Sequence, residues 1–392
     1  MKPAARIAAA IDVLDLALDG AAVEQCLTRW ARGARYAGSK DRAGVRDLVF
    51  EALRRRRSDA ALGGALTGRG LMIGALRRAG VDPDESFSGL AYTPAVLSDE
   101  EREGGRTPLP GAEQLDIPDW LWPQFQTMPK AAAALQSRAS VYLRVNSLKG
   151  DSDQAIAALA RDGIEGTPHS QVETALIIQS GARRIRHSQA YMDGLVELQD
   201  AASQAVVLAL PLSPGMRVLD YCAGGGGKAL AMAAQGAQGT QGTQAQIDLS
   251  VHDIAPQRMR DLPQRAARAG ITVQTLATDE LRDAPPFDLV VCDAPCSGSG
   301  AWRRNPDGKW ALTQARLDEL VGIQRGILRQ ATELTGKGGM IAYATCSVLD
   351  VENADQITGF LAEFPQWQVN WQHNWPLQDG ADGFYTAHLT RE

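Results

Sequence analysis

Between residues 216 and 348, five apolar runs alternate with helical or loop segments, and this alternation limits the fold more than any other feature of the chain. The runs lie in the segments RVLDYCAGGGGKALAMAA, IDLSVHDI, TVQTLATD, FDLVVCDAP and GGMIAYATCS. Strands separated by helices predict an α/β domain with a parallel, doubly wound sheet, in which ligands gather at the carboxyl ends of the strands. We therefore expect a Rossmann-like domain over residues 191–392, with residues 365–392 as the final strands of its sheet.

The rest of the chain predicts three further segments, because 392 residues exceed the usual size of a single core. Residues 1–80 place apolar residues three and four apart, which indicates a helical domain. Residues 81–125 lose this periodicity and collect Pro, Gly and acidic residues, which indicates a linker. Residues 126–190 contain the strand, helix and strand patterns of a small α+β module. The low-complexity segment 235–246 is interpreted as a surface insertion.

Composition restricts the compartment and the partners. Charged residues interrupt the amino-terminal apolar stretch at Arg6, Asp12 and Asp15, so it resembles neither a signal peptide nor a membrane span, and we expect a cytoplasmic protein with no membrane partner. Five scattered cysteines indicate reduced thiols. The net charge is −6, yet residues 1–60 hold twelve Lys or Arg against eight Asp or Glu, so any polyanion contact must be local. The run RRRRSD fits a solvated helix face or an RNA contact, and composition does not decide between them.

Four successive glycines, Gly224 to Gly227, stand between a predicted strand and a predicted helix. Without Cβ atoms the backbone can approach a ligand closely, and the helix amino terminus presents unpaired N–H groups. A phosphate-binding P-loop is excluded, since Cys222 stands where it needs Gly and Ala229 where it needs Ser or Thr. The loop is therefore a cofactor site or a structural turn.

Acidic residues follow the next two predicted strands. Asp253 stands where a carboxylate accepts the hydroxyls of a ribose, and Asp279 stands where an adenine would lie. For either residue alone, capping of a helix is an equally good interpretation. Acids and glycines at three successive strand ends favour the cofactor site.

Two thiols occur at the ends of predicted strands. Cys296 follows Asp293 in a turn rich in Pro and Gly, and Cys346 ends another apolar run, whereas Cys292 lies inside its run as a buried hydrophobic residue. Parallel neighbouring strands would bring both thiols to one cleft. No His or Cys spacing indicates a metal site, so we expect none. A thiolate can add to carbon 6 of a cytosine whose N3 is hydrogen-bonded or protonated by an acid, a role available to Asp293.

The sequences DYCAGGGGK, DAPCSGSGAWRRNPDGKW and YATCSVLDVEN, with LRVNSLK and ELQDAAS upstream, resemble the motifs of the NOP/Sun family of RNA cytosine-5 methyltransferases, which includes the bacterial Sun (RsmB) type. The resemblance covers about residues 140–350. It implies an S-adenosylmethionine-dependent methyltransferase domain in which Cys346 is the nucleophile and Cys296 assists release of the adduct. The cofactor or base pocket implied by the matched motifs consists of Cys222, Ala223, Gly224, Gly225, Gly226, Gly227, Lys228, Asp253, Asp279 and Asp293. The family's usual loop reads CAAPGGK, so the substitution of Gly224 and Gly225 for Ala and Pro predicts a more flexible loop.

RNA is the implied partner, and its target base must be splayed out of a single-stranded or opened region. The loop AWRRNPDGKW fits an RNA-facing surface with cations for phosphates and indoles for bases, or a loop whose tryptophans pack beneath it. The candidate RNA contacts are Arg144, Asn146, Lys149, Arg303, Arg304 and Lys309.

The helical start resembles a reduced form of the NusB-like domain that is fused to the bacterial Sun type. This resemblance favours small-subunit rRNA over tRNA as the substrate. We expect a monomeric enzyme that forms 5-methylcytosine. Three alternatives stay open: tRNA as the substrate, a catalytically impaired RNA-binding factor of ribosome assembly, and a methyltransferase for proteins or small molecules, which would need neither thiol.

Overall fold

The computed structural model describes residues 1–236, 247–377 and 380–391 and consists of two compact units. The first unit contains Met1–Arg138 and Trp302–Leu312, and the second contains Ala139–Ala301 and Thr313–Glu392. From position 237 onward, the insertion predicted at 235–246 lies outside the described residues. Among the described residues, no helix combines the length and the apolar character needed to cross a bilayer.

Eight helices of the first unit come from its amino-terminal part: α1 (Pro3–Leu18), α2 (Val23–Gly33), α3 (Ser39–Arg54), α4 (Arg56–Gly63), α5 (Gly68–Arg78), α6 (Asp99–Glu103), α7 (Trp122–Phe125) and α8 (Pro129–Ala134). The first five agree with the helical domain predicted for residues 1–80. Their apolar faces share one core, to which α1 contributes Leu14, α3 contributes Val49 and α5 contributes Leu71. At the start of α5, Thr67 caps the helix by accepting a hydrogen bond from the backbone N–H of Gly70.

The segment predicted as a linker, residues 81–125, packs onto this helical core. Phe87 and Leu97 are buried within it. The buried carboxylate of Asp116 accepts hydrogen bonds from the backbone N–H groups of Arg57 and Ser58, both at 2.8 Å. Single anchoring side chains in an aperiodic segment leave no periodic signal, which explains why the sequence pattern indicated a linker.

The second unit begins with a four-stranded antiparallel sheet in the order β2-β3-β1-β4. Its elements are β1 (Val141–Val145), α9 (Ser152–Arg161), β2 (Glu165–Pro168), β3 (Ala175–Ser180), α10 (Gln189–Met192) and β4 (Val196–Leu198). A capping box between Asp151 and Gln154 starts α9. Because β4 pairs with β1, the module extends past the predicted boundary at residue 190, and a three-residue strand is too short to show alternation in sequence.

A seven-stranded sheet in the order β10-β11-β9-β8-β5-β6-β7 forms the rest of the second unit. The elements from residue 201 onward are α11 (Ala201–Leu208), β5 (Arg217–Asp220), α12 (Gly227–Gly236), β6 (Asp248–Val251), α13 (Leu262–Ala269), β7 (Gln274–Thr275), α14 (Glu280–Asp283), β8 (Phe287–Asp293), α15 (Pro306–Ala311), α16 (Gln314–Leu334), β9 (Thr335–Thr345), α17 (Ala354–Glu363), β10 (Trp367–Trp375) and β11 (Phe384–Arg391). Of these, α15 belongs to the first unit.

The sheet confirms the predicted Rossmann-like fold, with one difference in strand direction. Strands β5 to β9 run parallel, whereas β10 and β11 are antiparallel additions beyond β9. Central strand β8 is buried on both faces, as its continuous apolar run predicts. One face packs with Leu230 of α12 and Ala266 of α13, and the other with Leu328 of α16 and Phe360 of α17.

Candidate active site

The carboxyl ends of β5, β6, β8 and β9 lie along one edge of the sheet, because these four strands are parallel neighbours. The glycine loop follows β5, Asp253 follows β6, Asp293 ends β8, and Cys346 follows β9. Most of the predicted catalytic and cofactor residues are therefore gathered at a single edge of the second unit.

The glycine loop adopts a conformation that depends on glycine at two positions. Gly224 has a φ of 51° and Gly226 a φ of 77°, both in the left-handed region. A Cβ atom at Gly226 would lie 2.2 Å from Cδ1 of Leu262, so the loop lies directly against α13. Cys222 stands at the start of the loop, and burial is the main cause that raises the pKa of its thiol well above the ordinary value.

Asp253 fastens the glycine loop to the next strand end. Its carboxylate is buried and accepts a hydrogen bond from the backbone N–H of Gly224 at 2.9 Å. The same carboxylate forms an ion pair with Arg258 at 3.1 Å. Asp279, by contrast, is exposed at the start of α14 and makes no side-chain cap. Asp253 thus shapes the loop, and Asp279 presents its carboxylate to solvent.

Lys228 and Asp293 form an ion pair in the same region, with 2.7 Å between Nζ and Oδ2. Burial lowers the pKa of Lys228, but the neighbouring Asp293 outweighs it, so that the pKa is raised overall. Negative charge on Cys346 acts in the same direction. The Lys228 ammonium also lies 4.8 Å from the centre of the Phe384 ring.

Asp220, which the sequence interpretation did not single out, lies at the end of β5 directly before the loop. Its side chain is 1% exposed, and its two oxygens make no hydrogen bond of regular geometry within the described residues. Burial and the neighbouring carboxylate of Asp293 raise its pKa to about 7, against the opposing effect of Lys228. The sequence did contain a signal for Asp220, namely an acidic residue at a strand end directly before a glycine loop.

The two predicted catalytic thiols meet at this edge. The sulfurs of Cys296 and Cys346 lie 3.4 Å apart, and both residues are partly exposed. Backbone hydrogen bonds connect the turns that carry them, from Ala294 N–H to Ala344 O and from Gly300 N–H to Cys346 O, both at 2.9 Å. Cys292 is fully buried behind them, as expected for an apolar strand position. Among the described residues, no group of His, Cys, Asp and Glu side chains is arranged to hold a metal ion.

The glycine loop and its surroundings fit a nucleoside-containing cofactor. Gly224 and Gly226 keep the backbone open to close approach, and the Tyr221 and His252 rings stack 5.0 Å apart at the loop and the end of β6. The buried Asp220 and the exposed Asp279 add carboxylate oxygens that hydroxyl and ammonium groups can use.

Three of the predicted RNA contacts form hydrogen bonds to other parts of the second unit. Arg144 is buried and donates to Gly227 O at 2.8 Å. Asn146 is buried and donates to Ala269 O at 2.9 Å. Lys149 is exposed, but its ammonium donates to Arg268 O at 2.7 Å, at the carboxyl end of α13. The side chains of Arg144 and Asn146 thus join the small module to the large sheet, and RNA cannot reach them in this conformation.

The loop AWRRNPDGKW folds into the core of the first unit. Trp302 is buried and stacks on Phe125 with ring centres 6.2 Å apart, and Trp310 donates to Leu53 O at 2.7 Å. Lys309 is also buried, and burial lowers its pKa to about 8. The alternative in which the tryptophans pack beneath the loop is the one that the structure adopts.

Two further arginines of interest lie in this unit. Arg303 is buried, so that its side chain is closed to RNA, whereas Arg304 is exposed.

The RRRRSD run is bound by other protein groups. Arg54 of this run donates to Arg303 O at 2.9 Å, and Arg57 pairs with Asp119 at 2.7 Å. The arginine run is therefore neither a freely solvated face nor an open RNA contact, because protein groups bind it.

Comparison with known proteins gives two matching family models. The model described as 16S rRNA methyltransferase RsmB/F matches residues 207–390, and the model of the ferredoxin-like domain of RsmF/B-like methyltransferases matches residues 118–183.

Individual relatives agree. The Ribosomal RNA small subunit methyltransferase B of Sodalis glossinidius is 31% identical over 311 residues, which cover 76% of this chain and 69% of that protein. The protein of the same name from Klebsiella pneumoniae (strain 342) is 31% identical over 294 residues, which cover 70% of this chain and 66% of that protein. The chain thus spans about two thirds of the length of these relatives. The crystal structure of PH0851 has a TM-score of 0.74 at 22% identity, covers 100% of this chain and 99% of that one, and shows the same fold.

Proposed function

The chain belongs to the NOP/Sun family of S-adenosylmethionine-dependent RNA methyltransferases, in its RsmB/F branch, and on this basis we propose that it methylates carbon 5 of a cytosine in small-subunit rRNA. The observation that carries this proposal is the 3.4 Å separation of the Cys296 and Cys346 sulfurs at the carboxyl ends of neighbouring parallel strands. A methyltransferase for proteins or small molecules would need neither thiol.

In the proposed reaction, the Cys346 thiolate bonds to carbon 6 of the cytosine, and carbon 5 becomes nucleophilic. A proton shared between N3 and the carboxylate of Asp293, which Lys228 holds in place, stabilises the negative charge that develops on the ring. When bound at the glycine loop, S-adenosylmethionine would supply the electrophilic methyl group for carbon 5 and would leave as S-adenosylhomocysteine. The carbon 5 proton then passes to a base, a role we assign to Cys296, its bonding pair restores the 5,6 double bond, and Cys346 leaves carbon 6 as a thiolate.

The glycine loop is the proposed cofactor site. Gly224 to Gly227 admit the cofactor to the backbone, and the exposed Asp279 and the loop-bound Asp253 flank it. Asp220 joins the predicted set as a buried carboxylate beneath the loop. For RNA, the exposed Lys149 and Arg304 remain the proposed contacts among the residues suggested by the sequence.

Trapping with RNA that contains 5-azacytidine tests this proposal. Position 5 of the azacytosine ring is a nitrogen without a removable hydrogen, so the bond to the enzyme cannot be released by elimination. We expect a covalent adduct with the wild-type protein and none with Cys346→Ala. On ordinary RNA, Cys296→Ala should accumulate the adduct that the wild-type protein releases.

Cys26→Ala is the matched control, because Cys26 is buried in the helical core of the first unit and should trap like the wild-type protein. An adduct that persists without Cys346 would refute the proposed nucleophile. Mapping of 5-methylcytosine in rRNA and tRNA from cells that lack the protein identifies the substrate, and a missing mark confined to tRNA would overturn the rRNA assignment.

A further inference from the structure

A single buried carboxylate connects the turns that carry the two thiols. Glu352 lies just beyond β9 and is 0% exposed. It accepts a hydrogen bond from the backbone N–H of Ser297 at 2.7 Å and others from the hydroxyls of Ser297 and Ser347. Ser297 directly follows Cys296, and Ser347 directly follows Cys346. One side chain therefore holds the residue next to each thiol.

A third segment completes this network. Gln324 of α16 donates one hydrogen bond to Glu352 Oε1 and one to Pro295 O, both at 3.0 Å. The hydroxyl of Tyr343 donates to the backbone carbonyl of Glu352 at 2.7 Å. Each carboxylate oxygen thus accepts two hydrogen bonds from neutral groups, which compensates for its burial and fixes its orientation.

The carboxylate also acts on the two thiols unequally. The hydrogen bond with Cys346 is the main cause that raises the pKa of Cys296, burial adds to it, and the negative charge of Glu352 acts in the same direction. The ammonium of Lys228, by contrast, pairs with Asp293 at 2.7 Å and not with Glu352. Glu352 accepts from both the backbone N–H and the hydroxyl of Ser297 but only from the hydroxyl of Ser347, so its charge is held more closely to the turn of Cys296.

We propose that Glu352 is a positioning residue that holds the turns of Cys296 and Cys346 against each other and makes the two thiols inequivalent, so that one acts as nucleophile and the other in release. This inference rests on the proposed function and deepens it. Glu352 touches neither RNA nor cofactor in this arrangement, because the carboxylate is enclosed by its donors.

The substitution Glu352→Gln removes the negative charge of the side chain and keeps its size and shape. The amide oxygen can still accept from Ser297 N–H and Gln324, and the serine hydroxyls can rotate to accept from the amide NH₂, so the turns keep their places. Brief labelling of the free protein with iodoacetamide, read out at each cysteine by mass spectrometry, reports thiolate formation. We expect the labelling rate of Cys296 to rise about tenfold, because the charge of Glu352 no longer opposes ionisation of the thiol, while that of Cys346 changes less than about threefold.

Glu363→Gln is the matched control, since Glu363 is an exposed glutamate of α17 that pairs with Arg329. Unchanged labelling of Cys296 in Glu352→Gln, or an equal change in Glu363→Gln, would overturn the inference. Because the labelling needs no RNA, it judges the role of Glu352 even if no RNA adduct is ever trapped, which would count against the proposed function alone.

Ser347→Ala tests the positioning role with the charge left in place. It removes one hydroxyl donor from the network, so we expect adduct formation on 5-azacytidine RNA to slow about tenfold while labelling of Cys296 stays within about twofold of wild type. Adduct formation at the wild-type rate would show that Glu352 does not position Cys346. The thermal midpoint of each variant, followed by circular dichroism, confirms that the compared proteins are folded.

Discussion

Replacement of Gly226 by Ala should destabilise the second unit, although the change adds only one methyl group. The left-handed φ of 77° costs a non-glycine residue roughly 1–2 kcal/mol. The added Cβ would lie 2.2 Å from Cδ1 of Leu262, which is 1% exposed, and overpacking of this kind costs about 1–3 kcal/mol. The lower entropy of the unfolded chain offsets about 0.4–1 kcal/mol. The free energy of unfolding should therefore fall by roughly 1–5 kcal/mol.

Gly227→Ala provides the control at the adjacent position. Its Cβ would meet nothing closer than 3.8 Å, and its φ lies outside the left-handed region, so Ala at the start of α12 should be neutral or stabilise by up to about 1 kcal/mol. Urea unfolding followed by circular dichroism measures both variants. A double variant with Leu262→Ala should recover about 1–3 kcal/mol of coupling energy, since the clash is removed. If Gly226→Ala and Gly227→Ala differed by less than about 0.5 kcal/mol, the steric argument would be refuted.

Three further outcomes follow from buried polar groups. The folded state keeps the proton of Asp220 up to about pH 7, so the free energy of unfolding should fall by at most about 4 kcal/mol as the pH rises from about 4 to 7. In urea titrations, Asp220→Asn should lose this pH dependence, and the control variant Asp279→Asn should keep it. Lys309 loses its proton near pH 8 in the folded state, so stability should rise toward pH 10 by on the order of 3 kcal/mol, and Lys309→Met should flatten that rise. Trp310→Phe removes the hydrogen bond to Leu53 O and should lower the thermal midpoint, at a cost of about 1–3 kcal/mol. Unchanged pH profiles or an unchanged midpoint would contradict these expectations.

The parallel sheet and the approach of the two thiols were accessible from sequence, because local patterns of apolar runs and turn residues indicate both. Apolar runs that end in turn residues define strand ends, and parallel neighbours place these ends at one edge, which is where Cys296 and Cys346 lie. Residues 365–392 contain the final strands β10 and β11, as expected, but their antiparallel direction escaped this reasoning, since an apolar pattern does not reveal strand direction.

Contacts between distant segments explain what the sequence could not show. Arg144 looks like an RNA-binding residue by charge, but its partner is a carbonyl of Gly227. Glu352 gave no signal because its donors come from three separate segments that only the fold assembles. From sequence alone, a basic residue within a strand or a glutamate after a strand cannot be assigned as buried or exposed.

The first unit is completed by residues 302–312, which come late in the chain. During synthesis, the helices of residues 1–138 leave the ribosome well before Trp302 exists to cover Phe125 and before Trp310 can bind Leu53 O. A fragment that ends at Arg138 therefore exposes an aromatic ring and leaves a carbonyl without its donor. The helical part matures only after most of the polypeptide has been made, and any attempt to express it alone must supply the missing eleven-residue segment.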